Sequence, residues 1–330
     1  MCVILALESS CDDTSASVLR NGKILTNIIS SQAIHEKFGG VVPELASRAH
    51  QRNIVSVVNQ AFKESGLTQK NLDAVAFTNG PGLIGSLLVA SSFAKGLSSS
   101  LGIPLIGVNH LQAHVLANFI DDPKPNFPFL CLLVSGGHTQ ILKVTDQITY
   151  EIIGQTLDDA AGEAFDKAAK VIDLPYPGGP NVDKYAKHGN IDAFEFPTPK
   201  IQGLNFSFSG LKTSFLYKIR DGLKDNPNFI KENTNDLCAS YQHRIVSYLT
   251  GKLVKASKQT GIKEIALAGG VAANSAIRER INELSIKHRW NTYIPQRQYC
   301  TDNAAMIAIT AYYKYLAKDF STKEIKTFAR

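Results

Sequence analysis

The stretch "PFLCLLVSGGHTQILKVTDQITYEII", residues 128–153, decides the fold. Its segments "PFLCLLVS", "TQILKV" and "TYEII" are short runs rich in aliphatic and β-branched residues, bounded by turn formers, and read as three strands. The same succession opens the chain, where "VILALE", "SASVLR" and "KILTNII" lie within residues 3–29. After each triplet the pattern changes to alternating helix and strand. In the first half Pro43 opens a long helix that should close near Gly66. The strand "AVAFT", a helix from about Ile84, the strand "PLIGV" and a helix at His110 follow. In the second half come a helix from about Leu157, a long insert, a helix from about Asn235 and the strand "EIALA". A helix from about Ala273, a short strand near "NTYIP" and a last helix from about Asp302 complete it. Both halves run three strands and then alternate, which is the pattern of a duplicated α/β protein. Their sequence identity is negligible, so the duplication rests on element order alone.

Composition agrees with a soluble, two-part molecule. A chain of 330 residues, 44% of them hydrophobic, can bury a sizeable core. The formal charge of +6 comes from 35 basic against 29 acidic residues, a mild excess that permits an anionic partner without singling out RNA. The five cysteines, Cys2, Cys11, Cys131, Cys238 and Cys300, are odd in number and form no C-x-x-C, which argues against a disulfide framework or a zinc knuckle. A reducing, cytoplasmic setting is expected. The start, "MCVILALESSCDD", turns acidic too soon for a signal peptide, and the apolar stretch from Leu83 is broken by serines and Lys95, so no membrane span is expected.

"VNHLQAHVLANF", residues 108–119, places His110 and His114 four apart on one helix face, where both could reach one ion or simply lie on a surface. A zinc peptidase helix would read H-E-x-x-H, but Leu111 follows the first histidine. The duplication offers a third ligand. His110 and Asp302 would each start the last helix of their half, facing one another across a cleft and giving a His, His, Asp set with open positions. Against this, Thr301 and Asp302 are good N-cap residues before "NAAMIAITAYY". Three glycine loops follow the same symmetry: "LVSGGHTQIL" (133–142), "IALAGGVAANSAIR" (265–278) and "NGPG" (79–82). Gly136 and Gly137 would let backbone N–H groups approach an anion, though a tight β-turn explains a lone Gly-Gly as well. No G-x-G-x-x-G or Walker A sequence occurs. His35 and His50 with Glu36 and Glu44 suggest a second metal group, but Pro43 after two glycines favours a plain loop-to-helix reading. Leu45, Ile54, Val57, Val58 and Ala61 on that helix could serve a core or a partner, and Arg48 and Arg52 could meet RNA or a partner. The basic residues Arg278, Arg280, Lys287 and Arg289 could meet a phosphate backbone or simply be solvated.

"HEKFGGVVPELASRAH", "NHLQAH", "LVSGGHT", "FDKAAK", "YPGGP", "FSFSGLKT", "LAGGVAAN" and "CTDNAAMIA", in this order, resemble the bacterial TsaD (Gcp) family over nearly the whole chain. The resemblance implies a duplicated actin-like (sugar kinase/Hsp70-type) ATPase fold with two lobes around a central cleft. The lobes would span residues 1–125 and 126–330, with an insert at about 175–235 and, in some members, a final helix packing back on the first lobe. It implies transfer of a threonylcarbamoyl group from threonylcarbamoyl-AMP to N6 of adenosine 37 in tRNAs reading codons that start with A. His110, His114 and Asp302 would hold one divalent metal, usually Fe(2+), with zinc possible in purified protein. Leu133, Val134, Ser135, Gly136, Gly137, Asp166, Gly179, Asp183 and Asn274 would bind the adenylate. Taken alone, "FDKAAK" is an ordinary amphipathic helix with Lys167 or Lys170 paired, Asn274 an N-cap and Gly179 a turn residue. Asp13 stands where the family often has Glu. The implied partners are tRNA, the paralogue TsaB and the ATPase TsaE. Two other functions compete: a metallopeptidase (glycoprotease), which lacks its H-E-x-x-H glutamate, and a nucleotide-gated binding ATPase of the same fold.

Overall fold

A computed structural model describes residues 2–329. Strands β1 (Val3–Glu8), β2 (Thr14–Arg20) and β3 (Lys23–Ser30) form an antiparallel meander. Helix α1 (Pro43–Ser65) starts with proline at its N-terminus and stops at Gly66, whose left-handed φ of 66° a side chain would resist. Strand β4 (Ala74–Gly80), helix α2 (Ile84–Leu101), strand β5 (Leu105–Asn109) and helix α3 (His110–Leu116) follow. The sheet order is β3-β2-β1-β4-β5, with β4 parallel to β1 and β5 parallel to β4. Central β1 is buried at every residue, which is why Val3 to Leu7 form a continuous apolar run instead of an alternating one. Ile54, Val57, Val58 and Ala61 of α1 belong to this core, so that stripe packs inward.

The second triplet behaves alike. Strands β6 (Phe129–Val134), β7 (Thr139–Val144) and β8 (Tyr150–Gln155) form an antiparallel meander. They are followed by helices α4 (Ala161–Val171), α5 (Gly178–Ala186), α6 (Ser209–Asp225) and α7 (Phe229–Thr260). Strand β9 (Glu264–Ala268), helix α8 (Ser275–His288), strand β10 (Asn291–Tyr293) and helix α9 (Ala304–Leu316) end the series. The order β10-β9-β6-β7-β8, with β9 parallel to β6 and β10 parallel to β9, repeats the first sheet strand for strand. Two element boundaries differ from expectation. Residues 157–159 stay outside α4 because Leu157 N–H donates to Phe206 and Asp158 accepts from Phe208 N–H, an extended alternative to helix. Helix α7 begins six residues before Asn235, at Phe229.

The chain divides into Met1–Lys124 with Pro295–Arg330, and Pro125–Ile294. Residues 295–330 thus group with the first stretch, the arrangement in which a final helix packs back on the first lobe. The reason is α9, whose residues Ala304 to Ala311 are all buried and need apolar cover on every side. It finds that cover on β1, β2, β3 and α3. Its first N–H groups, which no helix can satisfy itself, are taken by the first sheet: Ala304 donates to Ser15 Oγ at 2.9 Å and Ala305 to Asn27 Oδ1 at 3.1 Å.

Beyond α9 the chain runs along the outer side of β5. Ser321 bridges Leu105 antiparallel, Ile325 packs on the core, Lys95 Nζ donates to the Ile325 carbonyl at 2.7 Å, and Phe328 N–H donates to Asn79 at 3.0 Å. An exposed sheet edge is thus covered. Gly80 makes this approach possible: at φ +145°, a Cβ there would lie 2.3 Å from the Phe328 carbonyl oxygen. Gly80→Ala is expected to destabilise the protein by about 2 kcal/mol or more, from strain and steric overlap together. Urea denaturation measures this, and an unchanged midpoint would mean that the tail does not hold its place against β4.

Candidate functional site

Strand β5 delivers the chain to α3 through Asn109, whose side chain caps the helix by accepting from Leu111 N–H at 3.0 Å and Gln112 N–H at 3.1 Å. The helix is only seven residues long, enough to place His110 and His114 on one face with ring centroids 4.7 Å apart. Asp302 lies just before α9. It is not the cap of that helix; Asn303 is, accepting from Met306 N–H at 3.1 Å. The capping reading of Thr301 and Asp302 is thereby corrected, and the Asp302 carboxylate is free for another role. Its Oδ1 lies 3.2 Å from His114 Nε2 and 3.4 Å from His110 Nε2. All three residues belong to the first unit. They meet because α9 packs on that unit, which replaces the expected pairing of His110 and Asp302 from opposite halves.

One residue of the cluster was not singled out in the sequence as a site residue. Glu8, the last residue of β1, is buried, and its Oε2 is 3.2 Å from His110 Nδ1 and accepts from Thr78 Oγ1 at 2.6 Å. A charged residue closing an otherwise wholly apolar strand was the available signal. Electrostatics follow from this crowding. Burial disfavours a charged imidazole, but Asp302 and Glu8 outweigh it and push His110 up to about 10. Burial likewise opposes ionisation of Asp302 and Glu8, yet the His110 charge holds both below the usual carboxylate range. Burial lowers His114.

The donor set fits a divalent first-row metal. The ligand atoms of His110, His114 and Asp302 lie within 4.8 Å of one another, the one such group among the described residues. Two imidazole nitrogens and one carboxylate oxygen suit zinc or iron and leave positions open. Among the described residues the buried Nδ1 of His114 has no hydrogen-bond partner, so Nε2, turned toward Asp302, is the nitrogen the fold has aimed. His35 and His50 do not join them. His35 bonds to Gln32 at 3.0 Å and His50 to Thr14 at 2.8 Å and the Cys11 carbonyl at 3.0 Å, as the loop-to-helix reading expects.

The other sequence candidates, Leu133 to Gly137, Asp166, Gly179, Asp183 and Asn274, lie in the second unit. Leu133 and Val134 end β6, and Ser135 N–H donates to the His138 carbonyl at 2.8 Å, closing a tight hairpin. A Cβ on Gly136 or Gly137 would meet nothing within 4 Å, so packing within the chain does not demand glycine at either place. Asp166 Oδ1 accepts from Gly178 N–H at 2.9 Å and Gly179 N–H at 3.1 Å, tying α4 to the start of α5. Gly179 is therefore a helical residue instead of a turn residue. Asp183 Oδ1 accepts from Ser275 Oγ at 2.7 Å, and Asn274 caps α8 by accepting from Ile277 N–H at 3.1 Å. Asp166, α5, Asp183 and the start of α8 thus form one linked frame. Lys167 pairs with Asp159 at 2.8 Å and Glu163 at 2.7 Å, as an amphipathic helix would. Of the basic cluster, Arg280 pairs with Glu283 and Arg278 Nε donates to the Ala272 carbonyl.

A family model described as TsaD, tRNA N6-adenosine threonylcarbamoyltransferase, matches residues 23–309. The chain belongs to the TsaD family. A relative from Christiangramia forsetii named tRNA N6-adenosine threonylcarbamoyltransferase is 57% identical over 330 residues, covering 99% of this chain and 97% of its own. Two solved structures share the fold at low identity. The (R)-2-hydroxyglutaryl-CoA dehydratase component A of Acidaminococcus fermentans has a TM-score of 0.55 at 13% identity, over 96% of this chain and 100% of that one. The ROK hexokinase of Thermus thermophilus has a TM-score of 0.50 at 15% identity, over 96% and 99%. These place the TsaD-family chain in the duplicated actin-like, sugar-kinase class and say nothing of its chemistry.

Because His110 at about 10 is protonated at neutral pH, and a metal needs the neutral imidazole, metal binding should release about one proton. The sign is fixed: apparent affinity rises with pH, by about tenfold per unit from pH 7 toward 10. Calorimetry of Zn²⁺ binding in two buffers of different ionisation enthalpy reads the proton count directly. An affinity that does not change with pH would contradict the charge assignment.

Proposed function

We propose that this chain transfers the threonylcarbamoyl group of threonylcarbamoyl-AMP to N6 of adenosine 37 in tRNAs reading codons that start with A. One observation carries the reading: membership in the family over nearly the whole chain, with a 57%-identical, full-length relative of that name. In this reaction N6 bonds to the carbamoyl carbon, the bond from that carbon to the adenylate oxygen breaks, AMP leaves, and N6 gives up one proton. The donor is already activated, so positioning and charge stabilisation are the tasks left to the protein. His110, His114 and Asp302 would hold the metal, Fe(2+) or zinc, which when bound supplies a Lewis acid for an acyl-donor oxygen. Leu133 to Gly137 would offer backbone to the adenylate, and Asp166, Gly179, Asp183 and Asn274 would shape its nucleoside end.

Geometry weighs against the peptidase alternative. Glu8 touches His110, and its Oε1 accepts from Ser10 N–H and its Oε2 from Thr78 Oγ1, so both oxygens are already held by the protein and neither is turned to a water as a peptidase base would be. A nucleotide-gated ATPase shares the fold but has no use for a histidine pair aimed at a carboxylate. Partners of the kind TsaB and TsaE provide are consistent with α1 and α2, which pack together yet leave Val55, Ile84 and Leu88 exposed.

Labelled threonine incorporated into tRNA tests the function. Supplied with threonylcarbamoyl-AMP, the isolated chain should modify little, and adding TsaB and TsaE with ATP should give multiple turnover. His114→Ala should stay folded while losing both bound metal and nearly all transfer. Gly137→Val should leave stability nearly unchanged, because open space surrounds that position, yet weaken adenylate binding by more than the ~1.4 kcal/mol of a tenfold loss. Unchanged adenylate affinity by calorimetry would reduce the hairpin to a structural turn.

A further inference from the structure

Glu8 is a costly residue to bury, and the fold surrounds it with donors. A carboxylate taken out of water loses several kcal/mol of solvation unless its lone pairs are filled. Here Oε1 accepts from Ser10 N–H at 2.5 Å in the following loop, and Oε2 accepts from Thr78 Oγ1 at 2.6 Å on neighbouring β4. Oε2 also lies 3.2 Å from His110 Nδ1 on α3. Donors from three separate elements therefore pin one carboxylate, and it cannot swing without breaking at least two of them. Strand pairing reinforces this, since β1 and β4 run parallel in register up to Leu7 and Phe77, setting Glu8 and Thr78 side by side.

We propose that Glu8 is a positioning residue that fixes the ring orientation and tautomer of His110, so that Nε2 is the nitrogen presented to the metal. This rests on the reading that His110, His114 and Asp302 hold one. An ionised carboxylate only accepts, so Nδ1 of His110 must carry the proton between them. The lone pair of the neutral ring is then on Nε2, the atom 3.4 Å from Asp302 Oδ1. A ligating histidine whose other nitrogen is held by a carboxylate is both oriented and made more basic. His114 has no such support at its other nitrogen: among the described residues its Nδ1 lacks a partner, and packing together with Asp302 at Nε2 holds its ring. The two ligands are therefore unequal, one anchored and one seated only by its neighbours. Ser10 Oγ also lies 3.2 Å from His110 Nδ1, but a hydroxyl can either donate or accept and cannot set the tautomer by itself.

The test uses the full chain loaded with Zn²⁺. In the wild type, long-range ¹⁵N–¹H correlation spectra should show His110 protonated at Nδ1 and zinc-bound at Nε2. Glu8→Gln keeps the shape but removes the charge, and zinc transfer to a chelating dye should then speed up by about tenfold to a hundredfold. Thr78→Val, which loosens Glu8 without touching His110, should give a smaller increase and serves if Glu8→Gln does not fold. Dissociation rate is the chosen readout because competition between metal and proton for His110 does not enter it. A wild-type His110 protonated at Nε2, or dissociation rates unchanged in both folded variants, would overturn the proposal. Failure of the wild type to take up zinc at all would overturn the metal reading and this proposal with it, and is distinct from tight binding that ignores Glu8.

Discussion

Two imidazoles aimed at one carboxylate oxygen set the terms for the rest of the first unit. Charges of this kind are expensive to shield from water unless they are arranged to compensate one another. The chain meets that demand with parts drawn from far apart in sequence: the end of β1 gives Glu8, α3 gives both histidines, and the approach to α9 gives Asp302. Each part has its own fixing device. Asn109 and Asn303 cap the two helices, so neither His110 nor Asp302 has to spend its side chain on the backbone. The burial of α9 against the first sheet then brings Asp302 to the histidines, and packing and electrostatics become one requirement.

The second unit is organised by hydrogen bonds to backbone rather than by charge. Asp166 holds the first turn of α5, Asp183 holds Ser275, and Asn274 caps α8. The capping role of Asn274 and any role toward an adenylate do not compete, because a side chain fixed at a helix start is also a rigid one. The open space around Gly136 and Gly137 marks the hairpin as the part of this unit whose sequence the internal packing leaves undetermined. That is where a requirement from outside the chain would be written.

Much of this was legible in the sequence because periodicity reports burial. The two strand triplets, the proline start and glycine stop of α1, and the i, i+4 histidines each leave a local signature. What was not legible depends on contacts distant in sequence. Asp302 looks like an N-cap, since Asp and Asn are equally good caps and only the three-dimensional path shows that Asn303 takes the role. Glu8 looks like the end of a strand until Thr78 and His110 are seen beside it. The place of α9 is of the same kind: it follows the second-half pattern in order, yet its all-round apolar surface fits the first sheet, and order alone does not reveal which sheet a helix chooses.

The interleaved division of the chain has a consequence for how the protein is made. Pro125–Ile294 is a single uninterrupted stretch and can complete its sheet as it leaves the ribosome. The first unit cannot. Its five strands are available early, yet they wait for α9 and for the segment from Ser321 to Phe328 that covers β5. During that interval the face that α9 will cover is bare, and histidines and glutamate are without their aspartate. His110, His114 and Glu8 thus meet Asp302 only after the intervening stretch Pro125–Ile294 has been made.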